Sequence, residues 1–389
     1  MAEDEGEALF ARGVALQQAL RFAEAAELYR ELARTRLTSN LACNLGACLA
    51  ELGDWEGATH FLELAAQHRP QDADFRRRLA AVHGEVGRLE LAEEQYRAAL
   101  ALAPGDKATE LGLAALYLSA GRYAEGWPLF AARVALNPGM VPRVAASFPE
   151  WRGEPLGGKS ILVWVEQGLG DQIQMCRFAA DLKAQGAAAV TLACRPPLAP
   201  LFSTLAGADA VLPVAVGAAA EAPRHDYWSR YFSLPEHLGV TLETLPATPY
   251  LAAPEGRAAP CGPGGIGLVW RASPTGFNAA NKGLPDEMAQ RLLDRGAVSL
   301  HPQDTGARDF ADTAALIERL DLVISIDTSV AHLAGAMGKP CWTLIPYVHA
   351  DWRWLRDRTD SPWYPTMKLY RQTRPGDWSE TLDQVLRDL

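Results

Sequence analysis

The stretch LVISIDTSVAHLAG, residues 322–335, decides how the chain is read. Its first five residues, Leu322-Val323-Ile324-Ser325-Ile326, form a short apolar run rich in branched side chains, the composition of a buried parallel strand. Asp327, Thr328 and Ser329 follow, residue types that cap helices because their short polar side chains satisfy free backbone N–H groups. From Val330 the pattern predicts a helix running to Gly338, with Pro340 beyond it. A strand that feeds a helix through a polar turn aims unpaired N–H groups above the sheet, and the helix dipole adds to their attraction for an anion. His332, in the first helical turn, is placed to add a donor. The same residues also suit an ordinary strand–helix unit whose cap only stabilises the helix.

The surrounding sequence repeats this alternation. Strands are predicted over 160–166, 189–195 and 210–214, and again over 266–270, 297–301, 322–327 and 341–346. A helix is predicted over 172–185. The βαβ order implies parallel, Rossmann-like sheets in two units, joined by a Pro- and Gly-rich hinge at 252–265. In such a pair a ligand lies between the C-terminal edges of the sheets. At that edge of the first unit stands the turn Gly168-Leu169-Gly170-Asp171. Its glycines permit a tight turn and leave room for a ligand, and Asp171 sits at the cleft mouth. Asp171 alone could equally do no more than favour the positive helix start. His301, ending a strand at the cleft edge of the second unit, reads either as a nucleotide contact or as a helix-capping turn. Residues 225–228 read first as a surface loop and second as a lining for an acceptor. Trp352 and Trp354 either shape the donor pocket or pack as a satellite core. The final helix, 379–389, is expected to pack back across the first unit.

Residues 7–140 repeat. Small residues recur at Gly13, Gly46, Ala80 and Ala114, then at Ala25, Ala58, Ala92 and Gly126. Large ones follow at Tyr29, Leu62, Tyr96 and Phe130, and the units close at Leu37, Pro70, Pro104 and Pro138. The period is that of the tetratricopeptide (TPR) repeat, a helix–turn–helix unit with small, aromatic and proline positions. Four such units predict an α-helical solenoid whose groove holds a protein, with a spacer or self-association handle as the plainer reading. Asn44 has no asparagine counterpart in the other repeats.

The chain has 389 residues, 49% hydrophobic and 22% charged, with a net charge of −10 shared about equally between residues 1–143 and the rest. No basic block recommends nucleic acid as a partner. No apolar run is long enough for a transmembrane segment, and the acidic start is unlike a signal peptide, so a cytoplasmic protein is expected. The six cysteines lack metal-ligand spacing, and Cys43 and Cys48 read as small buried hydrophobes.

Three stretches carry a resemblance: EQGLGDQIQMCRF at 166–178, DLVISIDTSVAHLAGAMGKP at 321–340 and DWRWLRDRTDSPWYPTMKLYRQ at 351–372. Together they resemble bacterial glycosyltransferases related to the heptosyltransferases (glycosyltransferase family 9) and TPR-linked enzymes similar to O-linked N-acetylglucosamine transferase. Within that branch the chain resembles flagellin glycosyltransferases with N-terminal TPR units. The resemblance implies a GT-B fold with a solenoid over 1–143, an acceptor-side unit over 144–260 and a nucleotide-sugar unit over 261–389. It implies an inverting, metal-independent transfer from a nucleotide sugar to a protein, with no cofactor. Asp171 matches the family's proposed general base. Thr328, Ser329 and His332, with Asp327 before them, match its phosphate-binding helix start, and Lys282 falls where relatives place a phosphate-neutralising base. Lys282 reads otherwise as a solvated loop lysine. The loop 271–284 follows the family pattern only loosely, and the second unit is short between residues 284 and 312. The alternative is a non-catalytic TPR adaptor that keeps a degenerate sugar-nucleotide module.

Overall fold

The computed structural model describes residues 2–136, 144, 146–216, 222–257, 264–273 and 278–389. Pro138, most of the expected linker before 146, the centre of the expected hinge at 258–263 and Cys261 lie outside them.

Four helix pairs open the chain: α1 (Ala2–Gln18) with α2 (Phe22–Thr35), α3 (Ser39–Glu51) with α4 (Trp55–His68), α5 (Ala73–Glu85) with α6 (Leu89–Leu102), and α7 (Lys107–Ser119) with α8 (Tyr123–Phe130). A short helix, α9 (Arg133–Leu136), ends the array. The small residues sit where helices close up. A Cβ on Gly13 would lie 2.3 Å from the Tyr29 ring, and one on Gly46 would lie 2.7 Å from Leu62. Ala25, Ala58 and Ala92 are fully buried. First helices of successive repeats also pack on one another, forming the inner row of a TPR solenoid.

The first α/β unit runs β1 (Ser160–Trp164), α10 (Leu169–Met175), α11 (Ala179–Ala184), β2 (Ala189–Cys194), α12 (Ala199–Phe202), β3 (Ala210–Pro213), β4 (Tyr227–Arg230) and α13 (Leu234–His237). Its sheet is wholly parallel, in the order β3-β2-β1-β4. The second unit runs β5 (Ile266–Val269), α14 (Ala279–Lys282), α15 (Asp286–Leu293), β6 (Ala297–Ser299), α16 (Pro302–Thr305), α17 (Phe310–Arg319), β7 (Leu322–Ile326), α18 (Ser329–Ala336), β8 (Cys341–Ile345), β9 (Met367–Arg371) and α19 (Ser379–Asp388). Its parallel sheet has the order β6-β5-β7-β8-β9. Strand order reverses beside β1 in one sheet and beside β5 and β7 in the other. In open parallel sheets such reversals are where ligands generally bind, at the C-terminal strand ends.

Several expectations are corrected. The expected 172–185 helix starts earlier, at Leu169, and is interrupted by a 3₁₀ turn at Cys176–Phe178. Residues 227–230 are strand β4 and not surface loop: Tyr227 and Trp228 pair with Ile161 and Leu162, while the Asp226 carboxylate accepts from the Ser160 N–H. β9 is an additional strand. The last helix does not reach the first unit. Leu382 and Val385 bury against the second sheet, where they share a cluster with Tyr370 and Leu292.

The solenoid is not a separate body. Leu118, Tyr123 and Trp127 belong to one buried cluster with residues of both α/β units. The Tyr123 hydroxyl accepts from the Trp363 indole at 2.8 Å, and the Trp127 indole donates to the Val240 carbonyl at 3.1 Å. Arg133 enters the first unit and grips Glu166 with two nitrogens at 3.1 Å, both side chains being buried. Glu166 follows β1 and also accepts from the Phe232 N–H beyond β4, so the solenoid's last helix braces the strand reversal.

Candidate functional site

The starts of α10 and α18 meet. Gly170 shows how closely: a Cβ there would stand 2.7 Å from His332 Cδ2 and 3.3 Å from Ser329 Cα. Gly170 is therefore required for space. The positive φ in this turn belongs to Gln167, at 58°, and not to either glycine. A Cβ on Gly168 would lie 3.0 Å from the Asp171 carboxylate. Gly168, Gly170, Asp171, Thr328, Ser329 and His332 are thus brought into one junction between the two sheets.

Asp171 is partly exposed, its side chain at 23%. Its Oδ2 accepts from the Gly168 N–H at 2.9 Å and its Oδ1 from Arg353 Nη2 at 2.6 Å. Each oxygen keeps a second lone pair. Arg353 is nearly buried and is fixed by two more partners, Gln174 Oε1 at 2.8 Å from Nε and Asp351 Oδ2 at 2.5 Å from Nη1. Burial opposes its charge, but Asp351 and Asp171 outweigh that and hold its pKa above the ordinary arginine value.

Across the junction, the Thr328 side chain does not cap α18; its hydroxyl lies 3.1 Å from Ser325 Oγ. The first-turn N–H groups of α18 therefore have no side-chain cap. His332 lies near the start of α18, where the sequence places it. It is 3% exposed, stacks on Trp354 with ring centroids 5.3 Å apart, and places Nδ1 2.9 Å from the Tyr364 hydroxyl. Burial and then nearby Arg353 push its pKa down to about 3, so the imidazole is neutral and its 4.0 Å approach to Asp327 is not an ion pair. Trp354 is fully buried and shapes this corner. Trp352 packs instead towards the solenoid, against Tyr123 and Trp127.

Lys282, read from sequence as a loop residue, ends the short helix α14 and is not solvated. Its Nζ lies 2.9 Å from Asp327 Oδ2, with side-chain exposures of 12% and 5%. Burial raises the Asp327 pKa, but Lys282 and the other nearby positive charge bring it below the usual carboxylate range. The pair spans the reversal between β5 and β7. His301 lies apart from this ion pair, buried at 7% against the Trp270 ring, with Nε2 unpartnered and its pKa lowered by burial. Among the described residues no group of three or more His, Cys, Asp or Glu side chains could hold a metal ion. Among the same residues no helix is long and apolar enough to cross a membrane.

Sequence reasoning missed Arg353, Gln174, Tyr364, Glu166 and Arg133. Arg353 and Tyr364 lie in the stretch 351–372, which carried a resemblance and in which only Trp352 and Trp354 were given roles.

Residues 288–349 match glycosyltransferase family 9 (heptosyltransferase). That span holds His301, Asp327, Thr328, Ser329 and His332, while Asp171 and Lys282 fall outside it. Protein FlbA of Caulobacter vibrioides is 26% identical over 398 residues, covering 88% of this chain and 66% of that protein. The chain resembles a TPR-containing glycosyltransferase of family 9. It spans 66% of the length of that curated relative. Among solved structures, PcrH in complex with the chaperone binding region of PopB is 28% identical, covers 30% of this chain and 94% of that one, and has a TM-score of 0.27. YrrB, described as a TPR protein with an unusual peptide-binding site, is 18% identical over 34% of this chain and 69% of that one, with a TM-score of 0.31. The packing of the helix pairs, rather than these overlaps, identifies the solenoid. The family 9 match supports glycosyltransferase activity in general terms.

Proposed function

We propose that this chain is a cytoplasmic GT-B glycosyltransferase that moves a sugar from a nucleotide-sugar donor to a serine or threonine hydroxyl of a protein, with flagellin as a candidate acceptor. The observation that carries this reading is the close contact between the Asp171 turn and the Thr328–Ser329 helix start, which the missing side chain of Gly170 permits. One side offers a carboxylate and the other offers uncapped backbone donors.

In the reaction, Asp171 takes the proton from the acceptor hydroxyl as that oxygen bonds to the anomeric carbon. The bond from that carbon to the donor's phosphate oxygen breaks, and its electron pair leaves with the nucleotide. The α18 N–H groups, the Thr328 and Ser329 hydroxyls and Lys282 stabilise the charge that develops there, which supports an inverting displacement without a metal ion. His332, being neutral, contributes as a neutral donor or packing surface rather than as a cation. His301, buried against Trp270 with Nε2 unpartnered, is the candidate nucleotide contact, reached only if the base displaces the side chains that cover it. The solenoid recruits the acceptor.

A second reading, a TPR adaptor with a degenerate nucleotide module, is favoured by one feature: Arg353 occupies Asp171 and the helix starts are packed tightly together. Calorimetry with UDP-, GDP- and CMP-sugars separates the two. Binding of one donor, with transfer to a protein detected by mass spectrometry, supports the enzyme. Failure to bind any of them supports the adaptor.

A further inference from the structure

Arg353 has no role in the reaction as written above, yet the loop between β8 and β9 is built around delivering it. That loop is backed by the solenoid. His349 Nε2 lies 3.0 Å from Glu51 Oε2 of α3, and Arg356 Nη1 donates to the Glu85 carbonyl of α5 at 2.9 Å. Trp352 packs on Tyr123 and Trp127 of α8. From the opposite side, Asn278 Nδ2 donates to the Val348 and His349 carbonyls at 2.7 and 3.1 Å. The backbone is held in an unfavourable form around Arg353: His349, Leu355 and Asp357 have φ of 54°, 49° and 52°. Such conformations persist in non-glycine residues only where surrounding contacts impose them. A cavity of about 210 Å³ separates this loop from the inner row of repeats three and four, with Asp351 and Glu85 in its wall.

We propose that Arg353 is the positioning residue for Asp171: its guanidinium fixes the carboxylate towards the acceptor hydroxyl, and the solenoid holds the loop that delivers it. The proposal rests on the glycosyltransferase reading. The geometry is a relay of three bonds, from Asp351 and Gln174 to the guanidinium and from there to Asp171 Oδ1. A guanidinium held by three partners has one orientation, so the carboxylate it grips has one as well. The solenoid therefore acts on the reaction as well as on recruitment, because its repeats back the loop that sets Asp171.

The test is steady-state turnover of the full chain with UDP-, GDP- and CMP-sugars, reading nucleotide release as the sugar passes to water, which replaces the acceptor hydroxyl. Arg353→Met should lower kcat on the order of 100-fold while donor KM stays within about twofold, because a misplaced base costs rate and not donor binding. Arg353→Lys, which keeps the charge but not the fork, should recover part of the loss. Gln174→Met is the second variant, chosen because Gln174 Nε2 is buried without a partner, so the replacement also removes an unsatisfied donor. It loosens Arg353 and should lower kcat about fivefold at an unchanged melting temperature. Wild-type kcat in both Gln174→Met and Arg353→Lys, or a rise in donor KM that accounts for the whole loss, overturns the positioning role alone. A wild-type chain that neither binds nor turns over any donor overturns the glycosyltransferase reading, and the proposal with it.

Discussion

The two helix starts at the junction have the same architecture and opposite electrostatics. Each follows a central parallel strand through a polar turn. At α10 the helix supplies its own anion: Asp171 Oδ2 accepts from the Gly168 N–H, and Arg353 balances the remaining charge. At α18 the acidic residue is already neutralised, since Asp327 is tied to Lys282, and the Thr328 side chain does not cap the helix. A helix N-terminus favours negative charge from any source. Where the protein provides that charge, the turn can do base chemistry; where it withholds it, the turn is open to a phosphate. One reaction needs both, and the close contact at Gly170 puts them side by side.

Removing the carboxylate breaks the comparison most sharply. Asp171→Ala should lower transfer about 10³-fold, the usual scale for a general base, while calorimetry finds donor affinity little changed. Transfer at wild-type rate in this variant would rule Asp171 out as the base. Next in size is Lys282→Met, which leaves the buried Asp327 carboxylate without its cation. The cost to stability should be about 3–4 kcal/mol, read from the denaturant midpoint. The double variant Lys282→Met, Asp327→Asn should recover much of it, because the orphaned charge goes with its partner. A single variant as stable as wild type would show that Lys282 is not the counter-ion.

Both turns were legible in the sequence because their chemistry is local. A capping cluster after an apolar run, and glycines before an aspartate, signal a strand–helix corner within a few residues. The solenoid was legible for a related reason: Gly13 and Tyr29 meet within one repeat, and the repeat recurs. What failed to show was long-range. Arg353 reaches Asp171 across 182 positions of sequence, and Arg133 reaches Glu166 from the solenoid. No spacing rule connects such residues. The amphipathic pattern of 379–389 announced a helix with one apolar face but not which sheet would cover it. His332 was placed correctly and its state was not: burial against Trp354 decides its protonation, and that burial comes from the distant stretch that also supplies Tyr364.

The neutral state of His332 gives a smaller and more specific effect. Its folded pKa of about 3 lies below the ordinary 6.5. As pH falls below about 6.5, the unfolded chain takes up a proton that the folded chain refuses. Stability contributed by this site is therefore complete above that pH and declines towards pH 3, by roughly 1.4 kcal/mol per pH unit. Between pH 6.5 and 5 the wild type should lose about 2 kcal/mol that His332→Gln does not lose. Matched denaturant titrations at pH 7 and 5 read the difference, and parallel behaviour of the two proteins would mean that His332 is protonated in the fold.

The smallest effect tests whether the uncapped start of α18 is the anion site. Thr328→Val keeps the shape and removes the hydroxyl, which the helix does not use as a cap. An ordinary N-cap threonine loses about 1 kcal/mol of stability on such a change. Here the loss should be smaller, because among the described residues the hydroxyl contacts Ser325 Oγ alone. Donor affinity should fall about tenfold, the lower value of one hydrogen bond to a charged phosphate oxygen. Binding weakened at nearly constant stability is the signature of a hydroxyl kept for a ligand. The reverse, lost stability with intact donor binding, would make α18 an ordinary capped helix and leave Asp171 as the functional half of the pair.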